Sequence, residues 1–138
     1  MDGPLSSPNV KNLDSFSFQP DHVDKPWGYE LIWAKSEAYA GKILFVRAGH
    51  AISLQFHNEK DESWYILEGR AELELGGVGQ AVTQNEIVGP GAAFHFPPGT
   101  VHRLRAVEDT RILEVSTPQL DDIVRLEDEY GREGTSEA

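Results

Sequence analysis

The chain has 138 residues, 39% of them hydrophobic, and a formal charge of −11, which suits one compact domain with a buried core. That charge repels phosphate backbones and anionic bilayers, so nucleic acid and membrane are excluded as first partners. A small anionic ligand would need a local basic pocket. No cysteine is present, which excludes disulfides, thiolate metal sites and cysteine nucleophiles.

In chain order, residues 1–24 are polar, carry Pro4, Pro8 and Pro20, and read as a flexible arm that could dock on a partner subunit through Phe16 and Phe18. This arm has neither the basic start nor the apolar core of a secretion signal, and no apolar run approaches the roughly 20 residues of a membrane helix, so a cytoplasmic protein is expected. Pro26-Trp27-Gly28 leads into a series of short runs rich in β-branched and aromatic residues: 29–34, 42–49, 51–57, 63–69, 70–77, 79–83, 86–89, 92–96, 100–106 and 110–117. Gly or Pro punctuates them, and a hairpin is expected to pivot near Gly69. Such a pattern predicts an all-β sandwich or barrel over residues 25–131. Only 118–131 has helical character, with acidic residues early and Arg125 late. Pro118 and the charge also fit a structured loop there. Residues 132–138 read as a tail.

Two stretches carry chemistry. In the first, five residues separate Gly49 from Gln55. Gln55-x-His57 then puts two polar side chains on one face of a strand, Glu62 follows after four residues, and Gly69 after six more. In the second, five residues separate Gly91 from Pro97; Pro97-x-Gly99 makes a rigid turn, and His102 follows after two intervening residues.

This double pattern resembles the cupin family, whose motifs have the forms G-x5-H-x-H-x3,4-E-x6-G and G-x5-P-x-G-x2-H-x3-N. Both spacings fit without a gap. Gln55 stands where the first His is usual and Ala106 where the final Asn is. The resemblance implies a single-domain jelly-roll β-barrel (a double-stranded β-helix) holding one divalent metal on Gln55, His57, Glu62 and His102. Two imidazoles, a carboxylate and an amide oxygen suit Zn²⁺ first, and also Mn²⁺, Fe²⁺, Ni²⁺ or Co²⁺. A metal-free barrel is the competing expectation.

The stretches KPWGYE (25–30), RAGHAISLQFH (47–57), PPGTVHRL (97–104) and DDIVRLEDEYGR (121–132) are together similar to the type II phosphomannose isomerases, in which this domain often follows a sugar-nucleotide pyrophosphorylase domain. The resemblance implies interconversion of mannose 6-phosphate and fructose 6-phosphate, a base moving a proton between C2 and C1 through a cis-enediol. For the base, Lys42 and His95 are candidates, with Glu114 also open. For the phosphate, Lys25, Arg47, Arg103 and Arg111 are candidates, although strand parity sets Arg103 on the face opposite His102. Where type II enzymes run several histidines together, this chain has His57-Asn58-Glu59-Lys60. A non-catalytic sugar-binding or regulatory cupin, and an iron or nickel dioxygenase, are therefore kept as alternatives. A sugar or sugar phosphate is the expected ligand and a homodimer the expected assembly. His22 and His50 read as surface residues. His95 faces in or out according to how Phe94 and Phe96 pack. Trp27, Trp64, Tyr29 and Tyr65 read as packing residues, and the acidic residues from Asp121 to Glu129 as a solvated face.

Overall fold

The structure, a computed structural model, describes residues 10–135. Among them a short 3-10 turn, Leu13–Ser15, precedes twelve strands: β1 (Asp21–Lys25), β2 (Gly28–Lys35), β3 (Ala40–Val46), β4 (Leu54–Phe56), β5 (Glu62–Glu68), β6 (Ala71–Gly76), β7 (Val82–Val88), β8 (Ala93–Phe96), β9 (Val101–Ala106), β10 (Thr110–Ser116), β11 (Val124–Glu127) and β12 (Gly134–Thr135). They form two antiparallel six-stranded sheets, ordered β1-β2-β3-β10-β5-β8 and β12-β11-β4-β9-β6-β7. The architecture is the expected all-β jelly roll. No helix among the described residues is long and apolar enough to cross a membrane.

Period-two alternation builds the interior. On β3, Ala40, Lys42, Leu44 and Val46 are buried; on β10, Thr110, Ile112, Glu114 and Ser116; on β5, Glu62, Trp64 and Ile66. Register stacks these positions in layers. Leu44 pairs with Ile112 and Ile112 with Ile66, giving an apolar layer; one step along, Lys42 pairs with Glu114 and Glu114 with Trp64, giving a polar one. The apolar layers join Trp27, Ile52, Leu73, Phe96 and Leu104 in one core. The interior thus changes character along each strand, packed hydrocarbon at one end and buried charge at the other.

Several expectations change. The last four residues of the 1–24 arm belong to the sheet, because β1 starts at Asp21 and pairs with β2. Residues 1–9 of that arm lie outside the described residues; Phe16 and Phe18 are 50% and 64% exposed. The runs at 79–83 and 86–89 merge into the single strand β7. Over 118–131 there is no helix. Leu120 N–H donates to Pro118 and Asp122 N–H to Gln119, making turns, and Val124–Glu127 then pairs antiparallel with β4. The competing loop-and-strand geometry wins because Ile123 and Arg125 face inward at a spacing of two, which a helix would separate.

Gly69 turns β5 into β6 at φ +92°, and a Cβ there would lie 2.3 Å from the Asp109 carbonyl oxygen. Gly69→Ala is therefore expected to destabilise the fold by about 2 kcal/mol or more, read as a fall in the urea midpoint; an unchanged midpoint would show that the turn relaxes freely.

Candidate metal centre

Three buried side chains converge where the polar end of the interior begins. His57 leaves the end of β4, Glu62 opens β5 and His102 lies on β9; one ligand atom from each lies within 4.8 Å of the other two. His102 Nε2 is 3.1 Å from Glu62 Oε1, and His57 Nε2 is 3.4 Å from Glu62 Oε2. The ring orientations follow from the opposite nitrogens. Nδ1–H of His57 donates to the Asp122 carbonyl oxygen at 2.5 Å, and Nδ1–H of His102 donates to the Thr100 carbonyl oxygen at 2.9 Å. A carbonyl has no proton to give, so Nδ1 carries a hydrogen in both rings and Nε2 is the nitrogen that faces Glu62. Phe96, stacked 4.6 Å from His102, and Trp64, edge-on at 5.4 Å, hold that ring from the sides.

Both Nε2 atoms and both Glu62 oxygens are buried without an aligned hydrogen bond. Two imidazole nitrogens and a carboxylate this close together in a dry interior need positive charge among them. Lys60 supplies part of it: its ammonium lies 2.9 Å from Glu62 Oε2 and donates to Glu114 at 3.2 Å. What remains is a pocket of two imidazole nitrogens and a carboxylate pointing at one spot, with the outer nitrogens anchored on backbone carbonyls, as the ligating histidines of metal sites are. The donor set fits a borderline divalent ion. Gln55 lines the same cleft opposite His102 in the β4–β9 ladder, and its Oε1 accepts from the Ser53 hydroxyl at 2.7 Å.

The cleft beside this triad is narrow, with a volume of about 40 Å³, and Lys25, Lys42, Lys60, Arg125 and Arg132 all line it, beside Glu30 and Glu114. Lys42 donates to both Glu30 oxygens at 3.1 Å, with Lys25 4.0 Å from the same carboxylate. Glu114 accepts from Trp64 Nε1–H at 3.1 Å as well as from Lys60. Arg132 makes a two-pronged contact with Asp128, at 2.8 and 3.0 Å. Burial lowers the Lys25 ammonium, and Lys42, Arg125 and Arg132 add to this against Glu30. Burial also lowers Arg125, with Arg132 the next cause. The cations are therefore close enough to repel one another, although Lys25 and Lys42 share Glu30, Lys60 is paired with Glu62 and Glu114, and Arg132 is paired with Asp128.

Of the residues singled out from the sequence, His57, Glu62 and His102 meet, Gln55 lines their cleft, and Lys25 and Lys42 line its wall. The other four lie elsewhere. His95 is exposed and bonds Asp61 Oδ1 at 2.6 Å, because Phe96 is the inward neighbour on β8. Arg47 is an exposed residue in the turn after β3. Arg103 pairs with Glu74 and Glu127 on the outer face, as parity requires, and Arg111 pairs with Glu68 and lies over Phe45. His50 is half-buried and bonds the Tyr130 hydroxyl at 2.7 Å. Sequence reasoning missed Glu30, Lys60, Arg125 and Arg132. One signal for Arg125 was available: as a strand, VRLE buries Arg125 and leaves Leu126 46% exposed, the reverse of an ordinary core strand.

Burial would raise the Glu62 carboxyl, but His102, His57 and Lys60 overcome it and hold it well below the ordinary range. Asp122 is lowered too, three backbone N–H donors outweighing burial, and Asp128 is lowered by Arg132. A carboxyl lowered by folding stabilises the fold above its unfolded value, near 4, and loses that contribution as pH falls through its folded value. Urea midpoints should accordingly drop steeply below about pH 4, and Asp128→Asn should flatten that limb; a midpoint independent of pH from 7 to 2.5 would contradict the assignment.

A family model described as mannose-6-phosphate isomerase C-terminal matches residues 14–128. Among curated relatives, the xanthan biosynthesis protein XanB of Xanthomonas campestris pv. campestris (strain B100) is 33% identical over 116 residues, covering 80% of this chain and 23% of that protein. A mannose-1-phosphate guanylyltransferase of Salmonella montevideo is 34% identical over the same length and shares. The chain spans about a quarter of the length of the curated relatives it matches. Among solved structures, KdgF from a Halomonas species matches with a TM-score of 0.62 at 25% identity, over 73% of this chain and 88% of that one. Oxalate decarboxylase from Bacillus subtilis, a protein with Mn(II) centres, matches with a TM-score of 0.67 at 21% identity, over 78% of this chain and 30% of that one, which shows the fold alone.

Proposed function

This chain belongs to the mannose-6-phosphate isomerase C-terminal family, a cupin domain, and we propose that it is a metal-dependent aldose–ketose isomerase acting on a sugar phosphate of the mannose 6-phosphate class. The observation that carries the reading is the adjacency of two features: three ligand-type side chains converging on one buried spot, and a cleft rich in cations opening directly beside them. An isomerase of this kind needs a polarised carbonyl and hydroxyl pair next to an anchored phosphate.

His57, Glu62 and His102 would hold the ion, with Gln55 as a fourth donor. A divalent ion bound there would polarise the sugar's C1 and C2 oxygens as a Lewis acid; Zn²⁺ suits the donors best, with Mn²⁺, Fe²⁺, Ni²⁺ and Co²⁺ compatible. Lys25, Arg125 and Arg132 bind the phosphate in this reading: they reach the cleft from β1 and the C-terminal segment, and a dianion relieves their mutual repulsion. Glu114 takes the proton between C2 and C1. It is joined to the triad through Lys60, and the Trp64 N–H and Lys60 fix its two oxygens in place. Lys42, bound to Glu30 in the cleft wall, instead orients hydroxyls. The alternative of a non-catalytic sugar-binding domain draws on the same cleft and differs only in chemistry.

Metal-loaded protein incubated with mannose 6-phosphate and other hexose phosphates in D₂O is expected to place deuterium at C1 or C2. Glu114→Gln should cut that rate by about 100-fold or more while metal content holds; His57→Ala and His102→Ala should each lose both metal and exchange. Sugar-phosphate binding without exchange would select the non-catalytic reading, and full metal retention in both histidine variants would refute the ligand set.

A further inference from the structure

The turn that runs from the candidate ligand His57 up to Glu62, residues 57–61, lies between β4 and β5, outside both strands. One residue from a distant part of the chain takes up most of its amides. Asp122 Oδ1 accepts from Asn58 N–H at 3.0 Å, and Oδ2 from Glu59 N–H at 2.6 Å and Lys60 N–H at 2.9 Å, while its backbone carbonyl accepts from His57 Nδ1–H. Three consecutive amides around one carboxylate form an anion-binding nest, occupied here by the protein's own side chain. The same C-terminal segment ties the turn again where Asp61 N–H donates to the Thr117 hydroxyl at 3.0 Å. Three residues beyond Asp122, Arg125 pairs in register with Gln55.

We propose that Asp122 is a positioning residue: its carboxylate clamps the Asn58–Lys60 turn so that its own carbonyl fixes the His57 ring, aiming Nε2 at Glu62 and His102. This inference rests on the metal reading for its consequence but not for its geometry. The clamp acts on the ring through one bond and on Lys60 and Glu62 through the turn. Loss of the carboxylate should leave the barrel intact, loosen the ring and spread the ligand set. An ordinary structural clamp would lower stability without changing ligand geometry. Asp109 is such a clamp and serves as the control: its Oδ1 accepts from Ala48 N–H at 2.8 Å, at the apolar end of the barrel.

The test uses the full chain as wild type, Asp122→Ala, Asp122→Asn and Asp109→Ala. Co²⁺ is titrated while its visible ligand-field bands are recorded, and the His57 tautomer is read by ¹⁵N NMR in metal-free protein. Asp122→Ala is expected to weaken Co²⁺ binding by about 10- to 100-fold and to shift the bands. Asp122→Asn, which keeps the shape but one acceptor oxygen, should fall between it and wild type, and Asp109→Ala should match wild type in both. Metal-free wild type should show His57 protonated at Nδ1, and Asp122→Ala a mixture of tautomers. Wild-type affinity, bands and tautomer in Asp122→Ala would overturn the proposal; if that variant does not fold, the same result in Asp122→Asn overturns it. Should wild type bind no Co²⁺, the metal reading fails, and the tautomer measurement alone decides whether Asp122 positions His57.

Discussion

A single buried carboxylate constrains the rest of this molecule. Glu62 is 2% exposed, and an ion taken that far out of water costs several kcal/mol unless its surroundings compensate. Everything near it answers that demand. Two imidazoles approach on either side, each fixed from behind by a backbone carbonyl; Lys60 approaches from the turn; Trp64 and Phe96 close the remaining space around His102. The compensation is incomplete in one respect only. Nε2 of each imidazole and both carboxylate oxygens lack an aligned hydrogen bond, and a divalent cation among them would complete the set.

From Glu62 the polar interior continues as alternating charge. Lys60 links Glu62 to Glu114, and Lys42 and Lys25 share Glu30. Such an interior is tolerable because the apolar layer of Leu44, Ile112 and Ile66 lies directly beneath it and supplies the burial that stabilises the barrel. The outer surface runs the other way. A chain with a formal charge of −11 places five cations in one cleft, and low-dielectric walls focus their field on it.

The barrel and the triad were legible in the sequence because both rest on fixed spacing. Alternation identified the strands, and the spacings from Gly49 to Gly69 and from Gly91 to His102 carried the resemblance to cupins, which implied His57, Glu62 and His102 as ligands together with Gln55. The cation cleft was not legible in the same way. Lys60 lies in a turn, where period-two parity gives no direction, and its burial depends on Glu62 and Glu114 from other strands. Arg125 belongs to a segment whose charge pattern has helical character, although its turns and its pairing with β4 make it extended, and Arg132 reads as the first residue of a tail. Arg47, Arg103 and Arg111 were brought forward by nearness to the motifs along the chain, and each lies on the outer surface with its own environment. For Arg103 parity already pointed away from the cleft. Asp122 illustrates the limit most clearly: within an acidic run that reads as solvated surface, it accepts from three amides more than sixty positions away in the chain.

X-ray absorption at the metal edge of the purified, metal-loaded chain addresses the central claim most directly, because it reports the ligand atoms around the ion. The account predicts one ion per chain, with outer-shell scattering from two imidazoles and with oxygen completing the first shell. A chain that retains no stoichiometric metal, or one whose ion shows oxygen ligands without imidazole, would contradict it.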